Sequence, residues 1–101
     1  MSLRVLARIA VLTEAEAGCE IVRRGPYRPN HRLDPAEEAT FYIGQIELAE
    51  DEFLRSGDCK DRIIQFLSDE LVRPLLKPGL EWEMREGATL IARATVLEIL
   101  E

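Results

Sequence analysis

Four arginines, Arg23, Arg24, Arg28 and Arg32, fall within the ten residues RRGPYRPNHR at 23–32, together with Tyr27 and with His31, the only histidine of the chain. Guanidinium groups form forked hydrogen bonds with carboxylates and phosphates, so such a cluster suits a phosphate-bearing ligand or an acidic partner. The chain as a whole leans the other way. Its 13 Lys and Arg residues stand against 19 Asp and Glu, for a formal net charge of -6. That balance argues against nonspecific attachment to nucleic acid or membrane by the whole surface. Any anion site is therefore expected to involve residues 23–32.

Other chemistry finds little material. A general base at His31 would need a nucleophile beside it, and Ser2, Ser56 and Ser68 lie in no nucleophile-elbow setting. Cys19 and Cys59 form no CxxC pair and lack the further ligands of a zinc site, so they read as free thiols in a reducing cytoplasm. The acidic run at 47–52 lacks the alternating carboxylates and central glycine of a calcium loop and reads as a solvated rim. No GxxxxGK[ST] loop exists to cradle a nucleotide phosphate. No cofactor, metal or nucleotide is expected. No apolar run approaches the ~18 residues of a membrane span, and Arg8 breaks the first apolar stretch, so an export signal is not expected either.

The elements that must position the cluster read mainly as strands. Leu3, Val5, Ala7, Ile9 and Val11 alternate with Arg4, Leu6, Arg8, Ala10 and Leu12, the period of a half-buried strand. From 13 to 35 the pattern dissolves into a long loop, with chain reversals at Gly25-Pro26 and Pro29-Asn30 and short extended pieces at 20–23 and 31–33. Residues 40–48 form a second long strand, with Tyr42, Gly44, Ile46 and Leu48 on one side and Gly44 a candidate bulge. The stretch DRIIQFLSDELVRPLL, 61–76, leans helical by pattern, although 63–67 alone also fits a strand. Leu80, Trp82 and Met84 then alternate with charged residues, and Glu86-Gly87 turns the chain into the aliphatic run 89–100. This is a hairpin, with Trp82 and Met84 in the core and Gly87 at positive φ. At 101 residues and 47% hydrophobic, the chain fits one domain with a single core, an antiparallel barrel or sandwich over 1–101.

Four pieces in order resemble the C-terminal β-barrel domain of translation elongation factor Tu. They are the opening strand running into LTEAEAG, the loop ending GPYRPNHRL, the strand ending GQIEL with SGD after it, and GLEWEMREGATLIARATVLEIL. The resemblance implies an all-β, closed six-stranded antiparallel barrel with a long loop after the first strand. It also implies that 62–67 is a strand followed by a loop or short helix through Pro78. In that family the barrel does no chemistry, packs against other protein surfaces and helps to hold a tRNA stem.

This sequence departs from the family at places that matter for RNA. Glu16-Ala17-Gly18-Cys19 stands where the family has Glu-Gly-Gly-Arg, and residues 34–38 put carboxylates where a phosphate backbone would pass. Arg28 either pairs with a carboxylate such as Glu86, with Tyr27 capping the core, or belongs to a contact region of Arg23, Arg24, Tyr27, Arg28, His31 and Arg32. Leu71, Val72, Leu75 and Leu76, with Tyr27, suggest an apolar patch that a partner or a second copy would cover. The expected function is non-enzymatic protein binding. The alternative is binding of a tRNA-like stem through the same loop with Glu86 and Gly87.

Overall fold

The computed structural model describes residues 3–33, 41–67 and 69–100. Their order is β1 (Leu3–Val11), α1 (Glu14–Ala17), β2 (Val22–Arg24), β3 (Asn30–Arg32), β4 (Tyr42–Ile46), β5 (Phe53–Arg55), β6 (Cys59–Phe66), α2 (Asp69–Val72), a 3-10 turn (Arg73–Leu75), β7 (Glu81–Glu86) and β8 (Thr89–Ile99). Six strands close an antiparallel barrel in the order β1-β6-β4-β3-β7-β8, while β2 and β5 pair as a separate two-stranded ribbon. Closure removes the free edges that an open sheet would present.

The barrel follows from strand parity. In β1 the residues Leu3, Val5, Ala7, Ile9 and Val11 are buried, whereas Arg4, Arg8 and Ala10 face outward. Trp82 and Met84 of β7 and Ala92, Ala94 and Val96 of β8 complete much of the same core, with small alanines admitting the indole opposite them. Apolar burial at about 25 cal/mol per Å² makes this interior the main source of stability. Gly87 turns β7 into β8 at φ 60°, the left-handed conformation that favours glycine.

Residues 59–66 settle the ambiguous pattern in favour of a strand. β6 is the ladder partner of both β1 and β4, so a helix there would leave one edge of each of those strands unpaired and open the barrel. The helical signal belongs to the segment after it, where α2 and the 3-10 turn split the expected apolar patch. Val72 and Leu76 are buried, Leu75 is half-buried, and only Leu71 is exposed. The long loop also holds more order than its composition suggests. Thr13 and Glu16 form a reciprocal capping box for α1, with Glu16 N–H donating to Thr13 Oγ1 at 3.1 Å and Thr13 N–H to Glu16 Oε1 at 2.9 Å.

Gly44 is not a bulge. Its register with Phe66 is regular, and the irregularities lie instead between Leu6 and Ala7 and between Met84 and Arg85. A Cβ at Gly44 would stand 2.9 Å from His31 Nε2 and 3.0 Å from Phe66 Cδ1, so the glycine makes room for a buried imidazole.

Candidate functional site

The cluster at 23–32 is divided by the pleat. In the ribbon, Arg23 is paired with Leu54, Arg24 with Phe53 and Val22 with Arg55. Residues directly opposite share a face, so buried Leu54 marks the side of Arg23 as inner and leaves Arg24, Phe53, Val22 and Arg55 on the outer side. Ile21 and Leu54 anchor the ribbon to the core, and Ser56 Oγ accepts the Ile21 N–H at 2.7 Å.

Arg23 closes a three-residue knot at one end of the barrel. Its Nε and Nη2 donate to the two oxygens of Glu86 at 2.7 and 2.8 Å, and Tyr27 Oη donates to Glu86 Oε2 at 2.6 Å. The Arg23 hydrogen bonds hold the Glu86 carboxyl below its ordinary pKa, and the one from Tyr27 adds to the effect. Burial, then Glu86, pushes the Tyr27 phenol above its own. The expected pairing of Arg28 with Glu86 is thus corrected: Arg23 takes that carboxylate. Successive residues of extended chain point to opposite sides, so with Tyr27 aimed at Glu86 and bridged to Ile46, Arg28 emerges on the other side. There its Nε donates to Gln45 Oε1 at 2.7 Å.

His31 is not a contact residue. It is 0% exposed, with Trp82 Nε1–H donating to its Nδ1 at 2.9 Å and its Nε2 3.0 Å from the Gly44 carbonyl. An indole N–H only donates, so Nδ1 accepts and the imidazole proton resides on Nε2, where it is given to Gly44. Both nitrogens are used by the neutral ring. Burial lowers the His31 pKa to about 4, opposed in part by the Gly44 hydrogen bond. The Phe66 ring packs edge-on at 5.0 Å. The signal that locates His31 is its parity with Leu33, two residues on and also buried.

The remaining candidates separate further. Arg32 is half-buried, with Nη1 3.8 Å from Glu83. Glu86 is held in the knot, and Gly87 occupies the β7–β8 turn. Arg24 and Arg28 are exposed, and neither forms an ion pair with another described residue. The acidic run at 34–38 lies outside the described residues. Among the described residues no three His, Cys, Asp or Glu side chains converge as a metal site would require, and no helix is long and apolar enough to cross a membrane.

Beside the exposed arginines lies an open cleft of about 550 Å³, lined by residues 24–26 and 45–50. The Gly25-Pro26 peptide is cis there, and Gly25 packs over Leu48. The cleft falls in the volume range of ligand sites, with Arg24 among its lining and Pro26, Leu48 and Ala49 as apolar surface. On the ribbon next to it, two guanidiniums approach one ring: Arg24 Cζ is 5.9 Å and Arg55 Cζ 4.8 Å from the Phe53 centroid. Sequence reasoning passed over Phe53 and Arg55. Their alternation about buried Leu54 is the signal that marks them as an outward pair.

No family model matches the chain, and a search of curated proteins finds no match to it.

Proposed function

We propose that this chain is a non-enzymatic β-barrel binding module, similar to the C-terminal domain of elongation factor Tu, that engages a protein partner in the cytoplasm through the face carrying Arg24 and Arg28. One observation carries the reading. Of the six candidate contact residues, Arg24 and Arg28 alone are exposed, each without a carboxylate partner among the described residues, and they stand beside an open cleft with an apolar lining. Arg23, Tyr27 and His31 are committed to the framework. A cleft with apolar surface and a charged rim matches the anatomy of a protein interface, where charges steer encounter and apolar groups supply affinity.

Glu86 belongs to the framework as well, which removes one of the two turn residues expected to touch a tRNA-like stem. The test is affinity capture from native lysate with and without RNase, using the wild type and an Arg24→Glu/Arg28→Glu double variant. A partner identified by mass spectrometry in both RNase arms and lost with the variant supports the reading. Capture that the double variant leaves unchanged overturns it. Capture that vanishes with RNase transfers the face to RNA.

A further inference from the structure

We propose that the outer face of the β2–β5 ribbon recognises an extended acidic peptide segment, two carboxylates from one face of the segment pairing with Arg24 and Arg55 astride the Phe53 ring. This rests on the binding-module reading above and names the chemistry of the partner.

The ribbon presents charge that several barrel strands neutralise. Arg4, Arg8, Arg62 and Arg85 of the barrel strands each reach a carboxylate, on Glu47, Asp61, Glu52 and Glu83 respectively. Arg24 and Arg55 are exposed and form no ion pair among the described residues; each guanidinium is held against the Phe53 ring instead. A ring face orients a guanidinium without consuming its N–H donors, so the forked edge stays free for a carboxylate. Two like charges beside one ring also repel, and carboxylates paired with them relieve that cost.

The surroundings select a peptide over a nucleic-acid strand. Lys60 and Arg62 of neighbouring β6 are neutralised by Glu52, with Asp58 also near Lys60, so β6 adds no unpaired charge to the two arginines of the ribbon. Glu47 and Glu50 line the adjoining cleft, where further phosphates of a polyanion would meet them. In an extended peptide, alternate side chains on one face recur at about 7 Å, a spacing that sets two carboxylates astride one ring.

The probe is a short fluorescein-labelled peptide alternating glutamate with leucine, compared by fluorescence anisotropy with its glutamine counterpart and with a labelled single-stranded RNA of similar length. Saturable binding of the glutamate peptide at low salt is expected, weakened roughly tenfold by Arg55→Gln, because a charge-assisted forked hydrogen bond is lost. Phe53→Ala weakens it as well, while Arg28→Glu, off the ribbon, has a smaller effect. Unchanged circular dichroism and melting temperature keep the Arg55→Gln result interpretable. Equal binding of the glutamine peptide, or indifference to Arg55→Gln, overturns the proposal, and so does RNA binding more tightly than the peptide through the same residues. If Arg28→Glu abolishes partner capture and Arg55→Gln affects neither capture nor peptide, the module reading stands and this site falls. If the peptide binds as expected and capture ignores Arg24 and Arg28, the reading falls and the site stands.

Discussion

Arg23 and Arg24 are neighbours in sequence and opposites in use. Arg23 turns inward with Tyr27 onto Glu86, and His31, from the same loop, goes deeper still against Trp82, Phe66 and Gly44. Arg24 turns outward, where Phe53 and Arg55 meet it on the ribbon. On the inner side the polar atoms of the knot and of the imidazole have fixed protein partners; on the outer side two cations share a ring and solvent. The difference shows that a basic segment has no single meaning: pleat parity divides it into framework and contact surface. If so, inner substitutions change stability, and outer ones change binding alone.

The largest break in that contrast is expected from Trp82→Ala. It empties a nearly fully buried indole site and strips His31 Nδ1 of its donor, so a loss of about 3–5 kcal/mol is expected in urea denaturation. Trp82→Phe preserves much of the packing and removes the donor, and is expected to cost about 1–3 kcal/mol. A Trp82→Phe loss near zero would show that the hydrogen bond to His31 contributes little, whereas equal losses for the two variants would place the cost in that bond and not in the packing.

Acid probes the same pair without mutation. Unfolded histidine titrates near 6.5, whereas folded His31 titrates at about 4. Between those values the unfolded chain binds a proton that the folded chain refuses, so stability falls as pH is lowered through this window and the effect levels off below it. The full decline is about 3 kcal/mol. The Glu52 carboxyl is held at about 2, chiefly by Arg62, so its contribution is present above the ordinary carboxylate range and disappears only in stronger acid. The upper part of the window therefore belongs to His31. Urea midpoints followed by the fluorescence of Trp82, the single tryptophan, are expected to decline from pH 6.5 to 5 in the wild type. A His31→Gln variant is expected to be flat there, and a wild type as flat as the variant would sink the assignment.

The periodic parts of this fold were legible from the sequence. The alternation of β1, the β7–β8 hairpin with Gly87 at positive φ, and the burial of Trp82 and Met84 all follow from a period of two and one turn residue. What depended on contacts distant in sequence was less legible. Choosing Arg23 over Arg28 for Glu86 requires knowing that β2 twists its first arginine toward the barrel, and Glu86 is 63 residues away along the chain. Gly44 read as a bulge because a glycine within a strand usually signals one, whereas its cause is an imidazole arriving from β3. β6 was ambiguous because its apolar residues run directly into those of α2. In the candidate site, Arg24 and Arg28 were found by composition. Phe53 and Arg55 were not, since only the pairing of β2 with β5 brings them beside Arg24.

The smallest effects sharpen the comparison most, because they set one neighbour against the other. Glu86→Gln keeps the shape of the knot and removes its charge, so Arg23 loses its charge-assisted pair and Tyr27 donates to a weaker acceptor. The pair is about one-third exposed, and solvent screening reduces the expected loss to about 1–2 kcal/mol. On the outer face, Arg24→Gln and Arg55→Gln sever no ion pair among the described residues and bury no charge, so each is expected to stay within about 0.5 kcal/mol of wild type. Urea denaturation of the three variants at neutral pH provides the measurement. In an Arg23→Gln/Glu86→Gln cycle the inner pair is expected to show coupling, whereas Arg24→Gln combined with Glu86→Gln is expected to be additive because the two residues share no partner. A destabilisation by Arg24→Gln as large as that by Glu86→Gln would make the outer arginine part of the framework, and the division of this loop by pleat parity would fail at the residue next to Arg23.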